Sequence, residues 1–296
     1  NKKFSEEFNT KMIELSNELE LLSSTKLFNL PKNNITLCLL MTNFCFTVLP
    51  FSNFYKTKYL MFGNEQSCND SYHNKDGFRC FPVFDQSSDW TVQLDNVSQI
   101  MTNGLVNTCS IVEPIHEIAI MKILHSRYSD MGKYQMSCFT ENENAKRNHW
   151  CQSCSKCARM FIFMKALNID PRQFGYDHDL LAKENRDLYS LFGVRDHNGS
   201  IIGYDRSGTG RDEQLLSFYM AYKNGVRGDL MEVFKEMFLQ EAIEREDELY
   251  RRFFSVYEPK TIPSKIKSDI LSILNEELGN EKPLRVSEQL KLPIKD

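Results

Sequence analysis

Apolar residues recur every three or four positions at Phe8, Met12, Leu15, Leu19 and Leu22, which predicts an amphipathic helix over Phe4–Leu22. A polar break at Asn29–Asn34 precedes the apolar run Ile35–Leu49. That run is broken by Thr42, Asn43 and Thr47 and stops at Pro50, which predicts a buried helix rather than a membrane span. Lys58–Gly63 is a short apolar run ending in glycine and reads as a buried strand feeding a polar loop. Further strands are predicted at Phe78–Phe84, Thr108–Val112 and Tyr134–Cys138. Helices are predicted at Val92–Thr102, from Pro114 through Leu124, and at Arg159–Leu167. Strands alternating with helices predict an α/β fold built on a parallel sheet.

After Pro171 the pattern becomes helical. Leu180–Leu191, Glu213–Lys223, one long charged helix over Asp229–Tyr257, and Ile266–Leu278 all follow the helical period. The composition therefore predicts an α/β domain over 1–170 and a mainly helical region over 171–296, with a loosely attached tail from Gly279.

The chemistry concentrates in Trp150-Cys151-Gln152-Ser153-Cys154-Ser155-Lys156-Cys157, with Cys138 thirteen residues before Cys151. Cys-x₂-Cys brings two sulfurs from one turn to one ion, and a third cysteine three residues later joins as a helix begins. Cys138, Cys151, Cys154 and Cys157 are thus candidate ligands of a structural Zn²⁺ in an element spanning 138–157, with His149 able to replace one of them. An iron–sulfur cluster, a redox pair and unligated core cysteines are the competing readings. Lys156 and Arg159 either screen thiolates, contact an anionic ligand, or are surface charge. Nine cysteines, an odd number with metal-type clustering, fit a reducing intracellular, cytoplasmic setting better than a disulfide scaffold.

Three other segments are weaker. Gly63-Asn64-Glu65-Gln66-Ser67 lies where ligands bind beyond the carboxyl ends of parallel strands, so Asn64 and Glu65 are either substrate-orienting groups or a polar turn. Glu117 falls in a first helical turn, where a carboxylate is favoured by the helix dipole whether or not it does chemistry. Ile201–Glu213 contains a short Gly-rich loop whose amides, with Arg206 and Arg211, can hold phosphate, though a plain turn is the simpler reading. A net charge of −4 gives no general attraction to nucleic acid or to anionic membranes.

Gly63–Asn69, Glu113–Ile118, and Ser137-Cys138 followed by Trp150-Cys151-x-x-Cys154-x-Lys156-Cys157 together resemble the UDP-N-acetyl-α-D-muramoyl-L-alanyl-L-glutamate epimerases. These belong to the PP-loop ATP pyrophosphatase, or adenine nucleotide α-hydrolase-like, superfamily. The resemblance covers roughly residues 30–220. It implies a nucleotide α-hydrolase-like parallel layer with a Cys₄ zinc element and a helical C-terminal part. It also implies ATP and Mg²⁺ as cofactors, and activation of a carboxylate substrate as an acyl-adenylate. Glu65 and Glu117 are then the candidate catalytic groups, and Asn64, Ser67, Gln86, Lys156 and Arg159 the candidate substrate contacts.

The chain departs from the family pattern in three places. No Ser-Gly-Gly-x-Asp-Ser phosphate loop is present in the sequence, an element that would precede residue 1. Where a lysine-bearing Gln-x-Ser-Lys-Ser segment is usual, the chain reads Gln86-Ser87-Ser88-Asp89-Trp90, and Glu113 stands where an arginine is common. These departures favour a second reading: a catalytically inactive, zinc-stabilised relative that binds a protein partner or serves as a subunit of a larger assembly.

Overall fold

A computed structural model of the chain describes residues 2–16, 40–138, 142–193 and 207–279. It is mixed α/β, and its described residues form two compact units. The first contains residues up to His116 together with Val256–Glu276, and the second contains Glu117–Ser255 with Glu277–Gly279. The composition shift near 170 falls inside the second unit. The second unit is therefore inserted in the chain of the first, which resumes at Val256.

In the first unit, helix α1 covers Lys2–Glu7 and α2 covers Leu40–Phe54. Strand β1 (Tyr59–Phe62) is followed by a small antiparallel hairpin of β2 (Tyr72–His73) and β3 (Arg79–Cys80). Helix α3 (Ser88–Met101) leads to β4 (Asn107–Ser110). Strands β1 and β4 pair in parallel, with Tyr59 opposite Asn107 and Phe62 opposite Ser110. Met41 and Cys45 of α2 and Leu94 of α3 form the core beneath Leu60, Phe62 and Trp90. A buried polar chain joins the same layers, since Ser98 of α3 lies 2.7 Å from Thr108 of β4 and 3.6 Å from Cys45 of α2.

The second unit begins with α4 (Glu117–Ser126), α5 (Ser129–Gly132), α6 (Glu143–Asn148) and α7 (Ser155–Ala166). Helices α8 (Gly208–Lys223), α9 (Asp229–Met237), α10 (Leu239–Glu244) and α11 (Glu246–Phe254) follow. Helix α12 (Ser264–Leu278), which lies in the first unit up to Glu276, closes the described chain. Helix α7 is almost wholly buried and α8 is buried along most of its length, and Tyr189, Phe192, Phe218 and Phe234 pack edge-on or stacked among them. No helix among the described residues is long and apolar enough to cross a membrane.

Several elements differ from the periodicity. The N-terminal helix stops at Glu7; Met12 and Ile13 are exposed, so these two apolar positions add little burial to offset the cost of helix formation. The remainder of that predicted helix, the start of the apolar run and the Gly-rich loop with Arg206 lie wholly or partly outside the described residues. Helix α2 continues past Pro50 to Phe54. Pro50 forfeits one main-chain bond, but Leu49 and Ser52 are buried on the inner face and hold the last turn. Helix α3 starts four residues early because Ser87 caps it, accepting from the Trp90 amide. The predicted strand at 78–84 is reduced to Arg79–Cys80, and Phe84–Gln86 forms a 3₁₀ turn.

The helix expected from Pro114 starts at Glu117, after turns in which the Pro114 carbonyl accepts from the Tyr257 amide. The predicted strand Tyr134–Cys138 is irregular and has no strand partner among the described residues. Leu180–Leu191 forms 3₁₀ turns instead of an α-helix, and the Leu181 carbonyl is taken by the Leu230 amide. The long helix over 229–257 is three segments. Its breaks at Phe238 and Arg245 let Phe234, Ala242, Leu249 and Phe253 all face inward.

Candidate metal centre and polar strand tip

The cysteine element is built by two tight features. Trp150 is fully buried, stacks on Tyr176 and donates from its indole nitrogen to the Phe174 carbonyl at 2.7 Å. Gln152 adopts the left-handed conformation (φ 57°), which turns the Cys-x₂-Cys segment back on itself. Its side-chain oxygen accepts from the Asp177 and His178 amides, both at 3.0 Å, fastening the turn to 177–178. Next to that segment, Gly175 has φ 93° and a Cβ there would meet the Asn148 carbonyl oxygen at 2.2 Å, so only glycine fits. Cys154 then sits at the N-cap of α7, and Cys157 lies in its first turn.

This geometry gathers Cys138, Cys151, Cys154 and Cys157 so that their sulfurs all lie within 4.8 Å of one another. Cys151 Sγ and Cys157 Sγ are 3.6 Å apart. Zinc–sulfur bonds of about 2.3 Å in a tetrahedron give sulfur–sulfur edges of about 3.8 Å, so the set fits one Zn²⁺-sized ion. Cys138, Cys151 and Cys157 are buried and Cys154 is partly exposed. His149 is not one of the clustered groups; it is exposed and ends α6 in the left-handed conformation.

The thiols are already unequal in charge preference. The hydrogen bond from the Cys157 thiol pushes Cys154 down to about 5, against burial and with help from the Cys157 and Lys156 amides. Cys157, which gives that proton, is pushed up, and burial pushes Cys151 up. Tyr176 donates its hydroxyl to the Cys157 carbonyl at 3.0 Å, and burial keeps it neutral.

Glu117 opens α4 in the same unit. Its carboxylate meets Arg159 Nη2 at 3.0 Å and Lys156 Nζ at 3.6 Å, with Arg159 only 2% exposed. Burial raises its pKa, but Arg159 and Lys156 together outweigh that and leave it lowered. A carboxylate held this way is a poor proton acceptor and a good tie between α4 and α7. Because its folded pKa lies below its unfolded value of about 4.3, its contribution is full above that pH and is lost as pH falls through the folded value. Glu117→Gln is expected to cost about 2 kcal/mol at pH 7, from the partner charges left unneutralised. It should also flatten the acid limb of the stability–pH curve measured by urea unfolding; an acid limb identical to wild type would refute the role.

The other sequence candidates belong to the first unit, at the carboxyl ends of β1 and β4. Asn64 donates to Thr91 at 3.3 Å, and its carbonyl accepts from Ser110 at 2.7 Å. Glu65 caps the turn Gln66–Asn69, accepting from the Ser67 amide at 2.7 Å and from the Ser67 hydroxyl. Gln86 accepts from the Cys68 thiol at 3.6 Å. Asn64, Glu65 and Gln86 line a cleft with Ser88, Thr91, Ser110, Glu113 and Thr261 that is too narrow for a water molecule. Glu65 and Glu117, paired as catalytic candidates in the sequence, thus belong to different units.

The hub of this polar cluster is Glu113, a position that drew notice only as a departure from an arginine. Its carboxylate accepts from Ser88 Oγ at 2.7 Å, the Lys260 amide at 3.0 Å, the Thr261 amide at 2.9 Å and Thr261 Oγ1 at 2.5 Å. Asp89, where the family pattern has lysine, pairs with Lys260 Nζ at 3.0 Å. No sequence signal pointed to Gln152 or to the contact of Glu113 with residues about 150 positions away.

No family model, curated protein or solved structure matches the chain.

Proposed function

We propose that the chain is a zinc-stabilised scaffold acting as a subunit or binding module of a larger assembly. The observation that carries this reading is the four-sulfur set within 4.8 Å. Four thiolates fill a tetrahedral shell and leave no open position for substrate or water, which is the ligand pattern of structural zinc. Cys138, Cys151, Cys154 and Cys157 would hold the ion; bound there, it would cross-link the irregular segment before Cys138 to the start of α7. The polar residues at the strand tip support the same reading, because Asn64, Glu65, Ser67 and Gln86 bond to neighbours within the unit.

A second reading is an ATP-dependent adenylate-forming enzyme related to the muramoyl-alanyl-glutamate epimerases. One observation favours it: Asn64, Glu65 and Gln86 line a cleft at the carboxyl ends of parallel strands, where α/β proteins bind ligands. Incubation of the chain with ATP, Mg²⁺ and a panel of carboxylates separates the two. The scaffold reading expects no pyrophosphate above a protein-free control. Release that depends on Glu65 and on a particular carboxylate would establish the enzyme instead.

A further inference from the structure

The turn that joins α8 to α9 forms one wall of a cleft in the second unit, with a volume of about 380 Å³. That lies in the size range of sites that hold small organic molecules. Tyr222, Val226 and Met231 give the cleft an apolar lining; Tyr222 and Val226 pack on the core of the unit, and Met231 is only 2% exposed. Lys223, Arg227 and Lys235 add positive charge, against one acid, Glu232. On a chain of net charge −4 this is a local reversal of sign.

The wall is held in shape before any ligand arrives. Gly225 (φ 78°) turns the chain out of α8; its amide donates to the Tyr222 carbonyl and the Val226 amide to the Ala221 carbonyl, both at 3.0 Å. Asn224 donates to the Ala166 carbonyl of α7 at 2.8 Å, and the Asp229 carboxylate accepts from the Lys183 amide at 3.2 Å. A turn anchored on both sides leaves little ordering cost to be met by binding. The three cations are not equally engaged. Glu246 holds Lys223 at 2.6 Å. Lys235 meets Glu232 at 3.7 Å between two exposed side chains, a contact that neutralises little. Arg227 is exposed and, among the described residues, forms no ion pair; its Nη1 donates to the Val226 carbonyl at 3.2 Å. A guanidinium carries five N–H donors in a planar fork that matches an oxyanion.

We propose that this cleft binds a small organic anion, its oxyanion head on Arg227 and Lys235 and its apolar body over Tyr222, Val226 and Met231. Apolar surface with a few convergent charged donors is the lining such a molecule requires, since the body is removed from water while the head is paired. A carboxylate and a phosphate monoester share this chemistry. The proposal goes beyond the scaffold reading and rests on neither the cysteine set nor the strand tip.

Titration calorimetry of the full chain with phenyl phosphate and with benzoate tests it, each against its parent ion, inorganic phosphate or acetate. The expected result is saturable binding of at least one aromatic probe, about 10-fold tighter than its parent ion because the ring is buried. Which probe binds tells the phosphate head from the carboxylate. Arg227→Gln is expected to raise that Kd about 10-fold, and Lys235→Gln to raise it less. Arg172→Gln, at an arginine of the same unit that is 83% exposed and paired with Asp170, should leave it unchanged. Arg227 and Lys235 are exposed, so both variants should keep the wild-type melting temperature. No saturable binding of either probe, or a folded Arg227→Gln variant that binds like wild type, overturns the proposal. Equal affinity for the aromatic probe and its parent ion would mean an adventitious ion only, and overturns it too.

Discussion

Chelation of metal, or Cys157→Ser, is expected to lower the melting temperature of the second unit by about 10 °C. The expectation corresponds to about 4 kcal/mol, in the range of the large losses that follow removal of a structural metal. The reason is local. Cys138 follows an irregular stretch with no strand partner among the described residues, and Cys151–Cys154 is a turn held in the left-handed conformation at Gln152. An ion bonded to all four sulfurs closes this loop onto α7. Without it, four thiols must pack together, with Cys154 favoured as thiolate by its hydrogen bond from Cys157. Added Zn²⁺ should restore the wild type and not the variant. Freshly purified protein with far less than one zinc per chain, or a melting temperature unmoved by chelator, would falsify the assignment. Acid should act through the same atoms, since thiolates bind the metal and protons compete with it.

Glu113→Ala is expected to destabilise the first unit by about 3–4 kcal/mol, measured by urea unfolding. The carboxylate is 4% exposed and accepts from four donors. Bonds to a charged acceptor are worth about 1.5–3 kcal/mol each, are not additive, and leave buried donors unsatisfied when the acceptor is deleted. The amides of Lys260 and Thr261 should lose hydrogen-exchange protection first, because Glu113 is what holds them. Thr261→Val removes one donor along with its hydroxyl and should cost less. A loss below about 1 kcal/mol for Glu113→Ala would show that the returning segment is held by its apolar contacts alone.

The parts of the molecule legible in the sequence are those fixed by near neighbours. Lys58–Gly63 and Thr108–Val112 read as strands because they are short apolar or β-branched runs, and strands stand at Tyr59–Phe62 and Asn107–Ser110. The Cys151–Cys157 spacing announced a metal set because the turn and the first turn of α7 together dictate where three sulfurs go. The long 229–257 helix was misread as continuous. Its apolar period continues across Phe238 and Arg245, and only packing of Phe234, Ala242, Leu249 and Phe253 decides that the axis must break. Tyr134–Cys138 was misread as a strand for a related reason: alternation marks a segment able to pair but does not supply a partner.

By itself the sequence determined a four-cysteine set able to hold a metal, the parallel strand pair and the helical character of the later chain, all of which follow from spacing within a few residues or one loop. Tertiary structure decided what the charged and polar groups do. It set Glu117 against Arg159 and Lys156, and Glu113 against Lys260 and Thr261 about 150 residues away. It also sealed the outer edge of β4 with Asp95 and Thr261. A carboxylate looks the same in sequence whether it moves a proton, caps a turn or braces a returning segment. Its role is set by which donors and charges the fold brings within about 3 Å, and that is a long-range outcome no local pattern encodes.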